Sequence, residues 1–159
     1  MIQFWVGRLL LLVCLLVGLA GAVGAQEAPL AATSEEQAAL LALDSRKYVH
    51  LRELAQKMLE NEATKDRYST YFFMGYVLHH AEGDLPRSRW YLEKCLEKFQ
   101  KAHGNPPTRS APWGWQQKAL WELAMVTGEM DLYEEQIKVW DRIGDMFRHQ
   151  YGFSPPVLD

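Results

Sequence analysis

Apolar residues along this chain recur at spacings of three and four, the mark of helices with one buried face. No stretch alternates with the period of two that a half-buried strand requires. Six helices follow from this pattern. The first starts at Ser34, where Ser34 and Gln37 have the spacing of a capping box, and ends near Asp44. The second covers about 45–61, with Tyr48, Leu51, Leu54, Ala55, Met58 and Leu59 on one face. The third covers 65–82 and is apolar nearly all round, from Tyr68 through Phe72, Phe73 and Tyr76 to Leu78. Such a helix is buried on most sides and belongs at the centre.

Gly83 supplies a residue tolerant of left-handed backbone to end the third helix, and Pro86 suits the first turn of the fourth. The fourth runs to His103, with Leu92, Cys95, Leu96 and Phe99 on its stripe, and Gly104 closes it. Three prolines exclude helix from 105–112. The fifth spans 113–127, closed by Gly128, and the sixth spans 132–151, closed by Gly152. The sixth carries Ile137, Trp140, Ile143 and Phe147. That is more apolar surface than a terminal helix normally shows, and it points to self-association through the C-terminal helix or to a longer array.

The segment before the first helix has a different character. Arg8 is the only charge ahead of Glu27, Leu9–Gly24 is rich in Leu, Val, Ala and Gly, and Val23-Gly24-Ala25 offers small residues where a signal peptidase reads. Residues 1–25 therefore read as a secretory signal peptide cut after Ala25. The alternative is an uncleaved membrane anchor, because the uncharged stretch is near the minimum length for a span. Residues 26–33 form a linker, 34–152 the helical domain and 153–159 a Pro-containing tail. Export predicts a secreted or periplasmic location in a bacterial envelope.

Composition removes several classes of function. Seventeen basic and 20 acidic residues give a net charge of −3, so there is no general attraction to nucleic acid. Cys95 is the one cysteine beyond the leader and lies on an apolar stripe, so it reads as a buried thiol rather than a nucleophile. No phosphate-cradling glycine loop, nucleophile elbow or zinc-protease motif occurs. His79 and His80 are adjacent. Neighbours on an α-helix point about 100° apart, so they read as groove or solvent residues and not as ligands of one ion. No catalytic, cofactor or metal site is predicted.

Two turns look alike, Glu82-Gly83-Asp84 and Thr127-Gly128-Glu129. Each lies between a helix with large apolar residues and one with a narrower stripe. Tyr71, Met74 and Gly75 fit a large, large, small pattern, answered by Leu92, Cys95 and Leu96 in the next helix. This resembles the tetratricopeptide repeat, a helix-turn-helix unit of 34 residues. The two turns are 45 residues apart, and the Pro-containing loop accounts for most of the excess.

The resemblance implies an all-α fold of about three stacked antiparallel helix pairs. An irregular six-helix bundle is the alternative the same stripes allow. In the repeat register Gly75 lets the third and fourth helices approach closely. Leucine there is expected to overpack the contact, whereas alanine is expected to be neutral or slightly stabilising. The first helix of each pair lines a concave groove. That places Phe72, Tyr76, His79 and His80 in one unit, and Lys118, Trp121 and Met125 in the next, as candidate contacts for a protein or peptide partner. Tyr76 and His79 are expected to be partly exposed. The function expected is a non-enzymatic interaction module. The rival readings are a helical domain acting on cell-wall glycan and a self-assembling structural subunit.

Overall fold

A computed structural model describes residues 32–108 and 110–152. The predicted signal segment, most of the linker and the tail lie outside them. The described residues form six α-helices and no strand: α1 (Ser34–Asp44), α2 (Tyr48–Glu60), α3 (Tyr68–Val77), α4 (Leu85–His103), α5 (Trp113–Glu129) and α6 (Tyr133–Tyr151). A π-helical turn, Leu78–Glu82, continues α3. Each helix packs on the next in sequence, and α3 also touches α1 and α5. The central place expected for the third helix is the one it occupies.

Local chemistry sets the ends, sometimes one residue away from where the pattern puts them. The cap of α1 is Thr33, not Ser34: Thr33 Oγ1 accepts the Glu36 backbone N–H at 3.2 Å. Glu36 is then free to turn inward and accept from Arg67 at 2.9 Å, an ion pair that is largely buried and ties α1 to the start of α3. At the start of α4, Asp84 Oδ1 accepts the Arg87 N–H at 3.1 Å. Gly83, at φ +66°, makes the left-handed turn before it.

The second turn departs from its expected likeness to the first. Gly128 lies inside α5, and the left-handed residue is Asp131, at φ +58°. Glycine at 128 has a packing reason instead. A Cβ there would lie 2.4 Å from Nε2 of Gln136, whose amide crosses to donate to the Ala124 carbonyl.

The core runs through all six helices. Leu51 and Met58 of α2, Phe73 and Val77 of α3, Leu92 and Phe99 of α4, and Leu120 and Leu123 of α5 are buried. Removing each such side chain from water contributes about 1.5–3 kcal/mol, set against the entropy of ordering it. Cys95 is fully buried among them, and desolvation drives its thiol pKa far up, so it stays protonated. Val139, Ile143 and Met146 seal α6 onto α5. Trp113 is tucked beneath the Pro-containing loop, with its indole N–H donating to the Thr108 carbonyl at 3.0 Å.

A close helix approach lies between α3 and α4. A Cβ on Gly75 would lie 2.9 Å from Cγ, 3.0 Å from Cδ2 and 3.3 Å from the backbone N of Leu92. Close approach at Gly75 is as expected from the sequence, but there is no room even for alanine, so the expectation of a neutral alanine is corrected. Buried Ser88 of α4 donates its hydroxyl to the Gly75 carbonyl at 2.7 Å, just upstream of the place where the α-helical ladder gives way to the π turn.

Candidate functional site

Three helices, α1, α3 and α5, contribute to an open pocket of about 400 Å³. Leu43 comes from α1, Phe72 and Tyr76 from α3, and Gly114, Gln117, Lys118, Trp121 and Glu122 from α5. Phe72 and Tyr76 are one turn apart on α3, and Gly114, Lys118 and Trp121 follow the same spacing on α5, so each helix presents one face to the pocket. Phe72 joins the pocket to an aromatic cluster centred on Trp115. Phe72 and Phe73 meet the Trp115 ring edge-on, with centroids 5.7 and 5.5 Å away. Tyr68 packs on it from a third side, and Lys118 Nζ lies 5.5 Å from its centroid, in cation–π range. The rim is Trp121, 43% exposed, edge-on to Trp140 at 4.9 Å.

The sequence-derived candidates divide into three groups here. Phe72, Tyr76, Lys118 and Trp121 come together in the pocket. Phe72 is nearly inaccessible and forms its floor, while Tyr76 is partly exposed. Met125 lies one turn beyond Trp121, exposed and outside the pocket lining. His79 and His80 form a second cluster next door. His79 departs from its expected partial exposure, because it is buried, with both ring nitrogens engaged.

That second cluster sits in the π turn. A π turn has more residues per turn than an α-helix, so successive side chains diverge less. The His79 and His80 rings lie side by side, with centroids 4.3 Å apart and planes 40° apart. Their nitrogens converge on one carboxylate oxygen: His79 Nδ1 lies 2.5 Å and His80 Nε2 2.6 Å from Oε1 of Glu122. On the far side of the His79 ring, Nε2 lies 3.0 Å from Oε1 of Glu129.

Burial pulls the imidazole pKa of His79 down. The hydrogen bonds and charges of Glu122 and Glu129 outweigh that, and the net shift is upward. The Tyr76 ring lies against His80 at 4.2 Å, tilted by 40°, and Tyr48 of α2 lies near-parallel to His80 at 6.3 Å. Burial is the main reason the Tyr76 phenol is held above its ordinary pKa.

Glu122 and Glu129 escape the sequence reading. They are seven residues apart and so share a face of α5. Acidic pairs at that spacing normally face solvent, and only the α3–α5 crossing brings them to the histidines. Among the described residues no helix is long and apolar enough to cross a membrane. No protein-family model, curated protein or solved structure matches the chain.

Proposed function

We propose that this chain is an exported, tetratricopeptide-like interaction module that holds a peptide or protein partner in the groove between α1, α3 and α5. One observation carries this reading. Side chains from three helices far apart in sequence meet in a single open, aromatic-floored pocket on the side where α1, α3 and α5, the first members of the three pairs, adjoin. Rings already fixed against Trp115 lose little freedom on binding, which favours affinity by preorganisation. Lys118 gives a bound chain a positive charge to read, while the Glu122 carboxylate at the pocket edge is already engaged by His79 and His80. The mechanism is non-enzymatic: the one cysteine of the helical domain is buried and protonated, and the groove's contribution is shape, aromatic surface and charge.

The test is capture of envelope proteins by the mature chain beginning at Gln26, set beside Trp121→Ala and Lys118→Glu forms. Each substitution is at an exposed position, so folding should be kept. Trp121→Ala should weaken capture by about 1–2 kcal/mol, the range of an aromatic anchor below the strongest hot spots. Capture unaffected by both would refute the groove. Intact mass of the exported protein checks cleavage after Ala25, and retention of residues 1–25 in a membrane fraction would refute it.

A second reading has its own observation. Tyr133, Ile137 and Trp140 fall at spacings of four and three on α6, and all three are exposed. Such a stripe favours self-association through α6. Loss of capture in Ile137→Glu, with Trp121→Ala behaving as wild type, would move the partner surface there.

A further inference from the structure

We propose that His79, His80 and Glu122 form a binding site for a divalent metal ion of the zinc type, with Glu129 as the positioning residue behind His79. The proposal rests on the histidine–carboxylate cluster alone and stands whether or not the neighbouring groove holds a peptide.

One donor atom from each of His79, His80 and Glu122 can be chosen so that all three lie within 4.8 Å of one another. Zinc–nitrogen and zinc–oxygen bonds of roughly 2.0–2.2 Å in a tetrahedron place neighbouring donors about 3.3 Å apart. The two nitrogen–oxygen separations, 2.5 and 2.6 Å, are hydrogen-bond contacts shorter than that value, so the Glu122 carboxylate must draw back by under about 1 Å to admit an ion. An ion therefore needs side-chain shifts of under an ångström or so and no movement of helices. Two imidazoles and a carboxylate are a borderline N,N,O set that suits zinc better than magnesium or calcium. Three protein ligands leave the fourth position to water.

The surroundings add what ligands alone do not explain. Glu129 holds the Nε2 side of the His79 ring, the arrangement by which a second carboxylate fixes the tautomer of a metal-bound histidine and raises its basicity. His79 then presents Nδ1 toward Glu122. His80 is oriented independently, by contacts with the Tyr76 and Tyr48 rings. Two carboxylates, Glu122 and Glu129, face the histidines, and the cluster is shielded from bulk water on the His79 side. Both histidines lie in the π turn, and π turns inside helices are frequent at functional sites.

The experiment is titration of the tag-free protein with Zn²⁺ by calorimetry, followed by Co²⁺ absorption for coordination geometry. The expected result is saturable binding of one ion and the visible bands of tetrahedral Co²⁺. Binding should be lost in His80→Ala and in Glu122→Gln, and weakened about 10–100-fold in Glu129→Gln. His80 and Glu129 are both partly exposed, so these two variants test the site even if a change at buried His79 prevents folding. Cys95 is fully buried and cannot supply the signal in the native state. No saturable binding by protein that circular dichroism shows to be helical would overturn the proposal. So would binding that survives unchanged in both His80→Ala and Glu122→Gln.

Discussion

Gly75→Ala tests the α3–α4 contact with a single methyl group. In a solvent-exposed helix interior, alanine is favoured over glycine by about 1 kcal/mol. Here the new Cβ would lie 2.9 Å from Leu92 Cγ, which is branched, fully buried and not the free end of a long side chain. Rotating Leu92 does not relieve the contact, because its own backbone nitrogen is 3.3 Å from the same point. The helices must therefore part by a few tenths of an ångström, and the 2.7 Å bond from Ser88 to the Gly75 carbonyl stretches with them. Overpacking of this kind costs roughly 1–3 kcal/mol.

Adding the strained hydrogen bond and subtracting the propensity gain leaves a net loss of about 1–2 kcal/mol. For a domain of this size that lowers the melting temperature by roughly 5 °C. Gly144→Ala is the control. Its Cβ would meet only Arg148 Nη1, at 3.8 Å, so propensity acts alone and stability should rise by up to about 1 kcal/mol. Thermal and urea denaturation of the two variants should therefore move in opposite directions. A Gly75→Ala protein as stable as its parent would refute the close approach and with it the pairing of α3 with α4 at this register.

Three further expectations follow from the fold. Cys95 should react with a thiol reagent only after denaturant is added, and rapid labelling of native protein would contradict its burial. Thr33→Ala should cost about 1 kcal/mol, as loss of an N-cap does, and Ser34→Ala should cost almost nothing; equal losses in urea melts would return the cap to Ser34. Arg67→Met leaves the Glu36 carboxylate buried without its ion-pair partner and should cost roughly 3 kcal/mol. A second change, Glu36→Leu, should recover part of that, and denaturation of the single and double variants checks it.

The elements were legible in the sequence because each rests on short-range chemistry. Apolar spacing places α2, α4 and α6, the proline run of 105–112 forces a loop, and Gly83 ends its helix for a reason visible locally. What was not legible depends on partners distant in sequence. Thr33 and Ser34 carry equivalent hydroxyls, and the choice between them is coupled to Arg67 drawing Glu36 inward. Gly128 looks like a terminator until Gln136 is found lying over it. In the groove, Phe72, Tyr76, Lys118 and Trp121 could be named from helical faces alone. The histidine cluster could not, because rejecting it assumed regular α-helical angles at 78–82, and that is where the helix departs from them.

The π turn at 78–82 also sets a phase. An uninterrupted α-helix advances about 100° per residue, so one extra residue accommodated in a wide turn re-indexes everything downstream against everything upstream. Residues 68–77 keep the register that fits Gly75 against Leu92. Residues 78–82 are offset from it and deliver the histidines to α5, Glu82 to Arg52 of α2 and the chain to Gly83. Deleting one residue here would not merely shorten the helix. It would turn the 79–82 side chains by roughly a quarter of the circumference relative to the core, breaking contacts on α2 and α5 at once. Length in this stretch is therefore under tighter constraint than residue identity, and variation among relatives of this chain should run through substitutions there and through insertions only beyond Gly83.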